Sequence, residues 1–487
     1  MTDDVSVVEA FTDPQLLGAS FGEDTREPWR AVLCAAFGLP LNDARSTLFQ
    51  RLSGGRAAPS KRVRELWAIA GRRSDKTHTA AGVAVYLAAI GAELDGTLSR
   101  LTAGERGVVL VLAVDRTQAR VALSYVRGLL TESPLLSPMV ERETAEGVEL
   151  TNGVSIEVAT NSHRSVRGRT LLAAIMDEVA FYRDEQSATP DVEVYRALIP
   201  SLATTGGMLV GISSPYARRG LLYQKWRKHF GKDDDVLVVQ GGSLDFNPTI
   251  DTQIIADAEA DDPEAAKAEW YGQFRADVEA FITREVVESV TRNEGVELAP
   301  RKHVRYFAFA DPAGGGADEF TLAIGHYEDE HLITDALRAR RGTPADIVAE
   351  YAKLLKSYAV REVTADKYAG SWPADEFARH DIRVHPSSKS KSELYVDALA
   401  KFNSGRVELP PDDRLLVQLV SLERRTSRAG RDSVDHPPGG HDDRANAVAG
   451  LLATKPPRQH SLAPPELLGE DDPATQMPME AMTHEYE

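Results

Sequence analysis

Apolar positions in this chain gather into short uninterrupted runs separated by amphipathic stretches, which predicts strands alternating with helices. Glu65-Leu-Trp-Ala-Ile-Ala70, Gly107–Ala113, Thr170–Met176 and Gly207–Ile212 each read as a strand with both faces covered, because a parallel sheet packed by helices needs apolar side chains on both sides. Gln118–Leu130 reads as an amphipathic helix, and Val148–Ala159 alternates like a hairpin. A second series starts at Val304-Arg-Tyr-Phe-Ala-Phe-Ala-Asp311. It continues through strands at 320–326 and 331–336, a helix at 344–357 and a strand at 360–366, and leads on to Asp442. The expected organisation is a helical segment over 1–60, an α/β core over 61–235 and a helical connector over 236–300. A second α/β domain over 301–455 follows, then a Pro-rich acidic tail over 456–487 expected to stay disordered until it meets a partner.

Composition narrows the class. A chain of 487 residues has room for about two to three domains. Cys34 is the one cysteine, so there is no disulfide framework and a reducing, cytosolic setting is expected. The N-terminus lacks a signal-peptide pattern and no apolar run is long enough to cross a bilayer. The net charge of −18 disfavours indiscriminate phosphate binding. It is segregated, however: Ser214–Lys232 carries six basic residues and no acid, and Ser461–Glu487 carries seven acids and no Lys or Arg. A local basic track is compatible with that distribution.

The first α/β series carries nucleotide chemistry. A phosphate-binding loop needs small residues that bring backbone N–H groups close to phosphates, with a lysine and a hydroxyl for the terminal phosphates and Mg²⁺. Gly71-Arg72-Arg73-Ser74-Asp75-Lys76-Thr77 follows a strand and opens a helix. Asp75 stands where glycine is usual, and a carboxylate there opposes phosphate. Leu171–Met176 then runs into Asp177 and Glu178, placing one carboxylate to hold Mg²⁺ and a second to activate water. Arg167, in a basic loop ahead of that strand, is a candidate arginine finger, in cis or in trans. A contact to DNA phosphate or a solvated loop explains it equally well. Ser213 and Ser214 end the next strand and suit sensing of a γ-phosphate, with a plain turn as the alternative.

The second series carries carboxylates. Metal-dependent nucleases draw acids from distant segments around paired ions. Asp311 ends a strand before Pro-Ala-Gly-Gly-Gly, Asp366 ends a second strand, and His441-Asp442-Asp443 opens a helix. Two strand ends and a helix start are the layout of a ribonuclease H-like sheet. Asp318 is an accessory candidate at a loop tip. Lys389 and Lys391 track a DNA backbone or are simply solvated.

With these motifs in place, the chain resembles the large terminase subunit of tailed bacteriophages from about Trp29 to Leu452. The resemblance rests on the Gly71–Thr77 loop, Ala113–Arg120, Leu171–Glu178, Gly211–Pro215, Asp311–Gly316, Ala365–Trp372 and Gly440–Ala449. It implies a P-loop (ASCE-type) ATPase domain followed by a ribonuclease H-like nuclease domain. The implied activity is ATP-driven movement of double-stranded DNA into procapsids and two-metal endonuclease cleavage of concatemers. The cofactors would be ATP and Mg²⁺, with Mn²⁺ able to substitute in the nuclease. Gly71, Arg72, Arg73, Ser74, Lys76, Thr77, Asp177 and Ser214 would bind ATP and its metal, and Glu178 and Arg167 would be catalytic. Asp311, Asp366, Asp442 and Asp443 would hold the nuclease metals, one or both of the last two. Implied partners are DNA, a portal protein, the small terminase subunit and copies of the chain in a homo-pentamer, in host cytoplasm and with no membrane. Two other readings stand beside it: a cellular helicase-nuclease, and a DNA scaffold that binds nucleotide without turnover, which Asp75 favours.

Overall fold

A computed structural model describes residues 5–161, 166, 168–183, 187, 190–313, 318–366, 372–426, 432–437 and 439–454. The tail expected over 456–487 and the candidate finger Arg167 lie outside the described residues. Among the described residues no helix is long and apolar enough to cross a membrane.

Among the same residues the first sheet has eight strands: β1 (Glu65–Ala70), β2 (Gly107–Ala113), β3 (Val140–Glu143), β4 (Gly147–Leu150), β5 (Val154–Thr160), β6 (Thr170–Asp177), β7 (Met208–Ser213) and β8 (Val236–Gly241), in the order β3-β4-β5-β2-β6-β7-β1-β8. All pairings from β5 to β8 are parallel. Residues of β1 and β2 are buried throughout, as strands covered on both faces must be. The expected core limit at 235 falls short. β8 pairs with β1 along its whole length, so this stretch of the supposed connector is the far edge of the first sheet.

Register decides where chemistry gathers. Ile69 pairs with Ser213, and Asp177 with Ile212. The loop after β1, the acids ending β6 and the serines ending β7 therefore emerge at one carboxyl edge. There the sheet order changes direction relative to the chain, where ligands of open α/β sheets bind. β7 lies between the loop-bearing β1 and the acidic β6.

The second half is built, among the described residues, on a six-stranded sheet. Its strands β10 (Tyr306–Asp311), β11 (Phe320–Glu328), β12 (His331–Arg340), β13 (Glu362–Ala365), β14 (Arg383–Pro386) and β15 (Val407–Glu408) are ordered β14-β13-β10-β11-β12-β15. Three antiparallel strands flanked by parallel β13 and β14 make a ribonuclease H-like sheet. A third, small sheet joins β9 (Val278–Ala280) of the connector to β16 (Glu423–Thr426) and β17 (Asp432–Asp435).

The helix Asp443–Ala453 crosses β10 at a glycine. A Cβ on Gly450 would fall 2.4 Å from the Phe309 ring, so the absent side chain sets the depth at which Asp442, Asp443 and Asn446 reach the sheet. Gly450→Ala is expected to destabilise the second half by about 1–3 kcal/mol, the usual cost of overpacking a core. Denaturant unfolding checks this, and an unchanged midpoint would remove Gly450 as the spacer.

Candidate functional site

After β1 the chain turns through Gly71–Asp75 into the helix Lys76–Tyr86. Only glycine fits at 71, where a Cβ would sit 2.4 Å from Ser243 Oγ. Arg73 and Asp75 take left-handed backbone, with φ of 60° and 64°, a conformation that costs non-glycine residues about 1 kcal/mol or more. Outside bonds hold the turn: Trp29 Nε1 donates to the Ser74 carbonyl (2.7 Å) and Asn247 Nδ2 to the Arg73 carbonyl (2.9 Å). Lys76 is buried, and its Nζ meets Ser214 Oγ at 2.9 Å and Glu178 Oε1 at 3.1 Å. A helix start with a lysine on it suits a phosphate.

The difficulty raised by Asp75 is met locally. Its carboxylate pairs with the Arg26 guanidinium and lies 3.2 Å from His78 Nδ1. Arg26 sits far back in the chain, where no local pattern points to it.

Thr77 Oγ1 donates to Asp177 Oδ1 at 3.3 Å, while Asp177 Oδ2 is buried without a hydrogen-bond partner among the described residues. An orphaned carboxylate oxygen beside a hydroxyl is a hard-oxygen set that fits Mg²⁺. Burial, and then the charge of Glu178, push Asp177 up to about 7, against the Thr77 hydrogen bond. The unfolded carboxyl titrates near 3.9. The metal-free fold therefore binds this proton more tightly than the unfolded chain and loses stability as pH rises from about 4 to about 7. Asp177→Asn removes that loss. Its stability advantage over the native metal-free protein is expected to grow across this interval and then level off. Denaturant melts at pH 5 and pH 8 showing the same difference would contradict it.

Glu178 has φ of 52°. Its Oε2 accepts from Ser213 Oγ and from the Ser214 N–H, both at 3.1 Å. The cleft around these groups measures about 730 Å³, and its lining includes Lys76, Asp115, Glu178, Ser214, Arg275 and Arg425. The basic run after Ser214 is not a free track throughout. Lys225 is buried, with Nζ 2.6 Å from Glu65 Oε2, and Arg219 pairs with the fully buried Glu423.

In the second half, Ala310 pairs with Ala365 across parallel β10 and β13, and the Asp366 N–H donates to the Ala310 carbonyl at 3.1 Å. Asp311 and Asp366 thus leave adjacent strands side by side. Asn446 Nδ2 donates to Asp366 Oδ2 at 2.9 Å, and the same side chain is near enough to Asp311 to favour its charged form. Burial holds the Asp311 carboxyl well above the usual range, and Asp366, Asp443 and Asp442 push the same way, against Asn446. Four acids therefore share one field. A buried carboxyl raised by burial and by neighbouring acids is characteristic of sites built for a cation or a proton transfer.

The adjacent aspartates face different neighbours. Asp442 is buried and accepts from Tyr395 OH at 2.7 Å, with Lys391 Nζ at 2.8 Å. Lys391 also reaches Asp435 at 2.9 Å. Burial opposes its charge, but Asp442 and Asp435 outweigh that and push it up to about 12. Asp443 accepts from the Glu319 N–H at 2.9 Å. It forms with Asp318 and His441 a set whose ligand atoms lie within 4.8 Å of one another, and Asp435, His436 and Asp442 form another. Lys391 is thus a half-buried partner of two acids, and Lys389 pairs with Asp397. A cleft of about 260 Å³ beside Asp443 and His441 is lined also by Arg183, Arg341 and Arg414.

Asn446, His441 and Tyr395 were missed as site residues in the sequence. For Asn446 a signal exists: it lies three and four positions after the two aspartates, on one face of their helix.

Fold and sites together define an α/β protein with a cleft at the carboxyl edge of its first sheet and a carboxylate cluster on its second. Among solved structures it is similar to bacteriophage large terminases. The HK97 bacteriophage large terminase shares 16% identity over 87% of this chain and 99% of its own, with a TM-score of 0.38. A large terminase from a thermophilic bacteriophage shares 10% over 88% and 98%, with a TM-score of 0.37. The large terminase nuclease from thermophilic phage G20c with bound magnesium shares 20% over 36% of this chain and 98% of its own, with a TM-score of 0.31. No protein-family model and no curated protein matches the sequence.

Proposed function

We propose that the chain is the ATPase-nuclease subunit of a viral DNA-packaging motor, driving double-stranded DNA into procapsids and cutting concatemers at its carboxylate cluster. The observation that carries the reading is the presence in one compact unit of two separate side-chain clusters, each suited to phosphate chemistry. One is Lys76 with Thr77, Asp177, Glu178 and Ser214; the other is Asp311 with Asp366, Asn446 and the Asp442-Asp443 pair.

At the first centre Gly71, Arg72, Arg73 and Ser74 form the loop around the nucleotide, Lys76 and Ser214 bind its phosphates, and Thr77 and Asp177 hold Mg²⁺. Lys76 Nζ lies 3.1 Å from Glu178 Oε1. Drawing the lysine onto phosphate frees Glu178, whose Oε2 is already fixed by Ser213 and Ser214, to take a proton from the attacking water. Arg167 remains the candidate finger in cis or trans.

At the second centre Asp311, Asp366, Asp442 and Asp443 hold divalent ions, Mg²⁺ or Mn²⁺, with Asp318 and His441 as further donors. Bound ions supply an activated water and neutralise the scissile phosphate. Arg183, Arg341 and Arg414 in the neighbouring cleft suit the DNA backbone. Partners that follow are the portal, the small terminase subunit and further copies in a pentameric ring, in host cytoplasm. The scaffold alternative rested on Asp75, whose charge Arg26 balances. A helicase needs a second nucleotide-binding lobe. The strands described between Pro215 and His303 belong instead to the first sheet and to the small β9-β16-β17 sheet.

The test supplies procapsids, portal protein and linear DNA, and measures ATP-dependent protection of DNA from added nuclease. Protection that is absent, or equal without ATP, ends the motor reading.

A further inference from the structure

We propose that Arg425, carried by strand β16 of the nuclease half, binds the polyphosphate of the nucleotide in the cleft of the first sheet. The ATP site would then be completed by the second half of the chain. The inference rests on the nucleotide reading of that cleft.

Arg425 lines the cleft together with Lys76, Glu178 and Ser214, although its strand belongs to the three-stranded β9-β16-β17 sheet. Among the described residues its guanidinium is only partly engaged. Nη2 reaches Glu423 Oε2 at 3.1 Å and Tyr216 OH at 3.3 Å, while Nε is buried without a hydrogen-bond partner among the described residues. A buried donor left without a partner is costly, so an incoming anion gains by meeting it.

Charge points the same way. Glu423 is fully buried and is shared by two arginines, Arg219 and Arg425, together with Tyr216 OH at 2.7 Å. Glu423 is thus divided between two guanidiniums, and Asp277, the other acid whose field reaches Arg425, is hydrogen-bonded to Arg275. The acids that line the cleft are committed elsewhere. Glu178 takes Lys76, Ser213 and Ser214. Glu269 takes Arg72 at 2.9 Å. Asp115 caps its helix through the N–H groups of Thr117 and Gln118. The other interior arginine, Arg275, is held by both oxygens of Asp277.

Position is fixed in advance. β16 is paired on both edges, by β9 and by β17. Glu423 fastens it to Tyr216, two residues beyond Ser214 on the turn that follows β7. A planar fork held by such partners is suited to phosphate oxygens in a way that a lysine is not.

The experiment titrates ADP and a non-hydrolysable ATP analogue, each with Mg²⁺, into the full native chain and into Arg425→Ala, Arg425→Lys and Lys76→Ala. Arg425→Ala is expected to weaken the triphosphate about tenfold or more, the effect of losing one charge-assisted contact. Arg425→Lys should lose less, because it keeps charge but not the fork. Native affinity in Arg425→Ala alongside weak binding in Lys76→Ala overturns the inference and leaves the nucleotide reading intact. Native affinity in Lys76→Ala overturns that reading itself. If Arg425→Ala does not fold, Arg425→Lys carries the same comparison. In the native chain, nucleotide should also slow amide exchange along β16, and unchanged exchange there counts against the assignment.

Discussion

Lys76→Ala is expected to lower DNA-stimulated ATP hydrolysis by ~10²- to 10³-fold, the scale seen when a preorganised charge at a reacting centre is removed. Lys76 Nζ is the point where three parts of the centre meet: the Gly71 carbonyl at 3.4 Å, Ser214 Oγ at 2.9 Å and Glu178 Oε1 at 3.1 Å. Without it Glu178 keeps its two donors from the β7 end but loses its cation, and the phosphates lose their buried charge. The fold should survive, because alanine leaves a smaller side chain at the edge of an open cleft and removes a buried ammonium. Metal-dependent cleavage should persist, since its residues lie on the other sheet. Steady-state ATP turnover with and without DNA, in parallel with plasmid cleavage, checks both halves. Turnover equal to native would remove Lys76 from the chemistry.

This centre was legible in the sequence because its parts sit at punctuation marks. Lys76 and Thr77 follow a glycine turn at a helix start, and Asp177 and Glu178 end an apolar run, so strand and helix periodicity alone places them. What the sequence hid is what depends on pairing between distant segments. Arg26 neutralises Asp75 from a helical turn early in the chain. Val236–Gly241 falls in the stretch expected as a helical connector, and only its partner β1 makes it the edge of the sheet. The basic run after Ser214 looked like a surface track by composition, yet Lys225 and Arg219 are spent on Glu65 and Glu423. Spacing reports side-chain direction along one element; it does not report which element lies opposite. The carboxylates show the same division. Asp311 and Asp366 could be placed because each ends a strand. The different neighbours of Asp442 and Asp443, Lys391 with Tyr395 for one and Asp318 with His441 for the other, appear only once the helix is laid across β10.

Asp366→Ala is expected to abolish Mg²⁺- or Mn²⁺-dependent plasmid cleavage, by ~10²-fold at least, while ATP turnover stays near native. Asp366 and Asp311 are neighbours at two parallel strand ends and share Asn446. A cation drawn to Asp311 therefore loses half of its strand-borne charge when Asp366 goes. The same crowding makes a second, opposite prediction. In metal-free protein burial first, and then the charges of Asp366, Asp443 and Asp442, hold the Asp311 carboxyl above its usual range, so the charge of Asp366 works against the metal-free fold. Asp366→Asn keeps the volume and a partner for Asn446 but removes a negative charge. It should therefore melt at a higher temperature than the native chain in chelator, and lose that advantage when Mg²⁺ is added to both. A merely structural aspartate predicts the reverse, because replacing it would cost stability with or without metal. Retained cleavage in Asp366→Ala, or a lower melting temperature of Asp366→Asn in chelator, would take Asp366 out of the metal site. Loss of cleavage together with a gain in metal-free stability is the pairing expected of a site kept under electrostatic strain for the cation it binds.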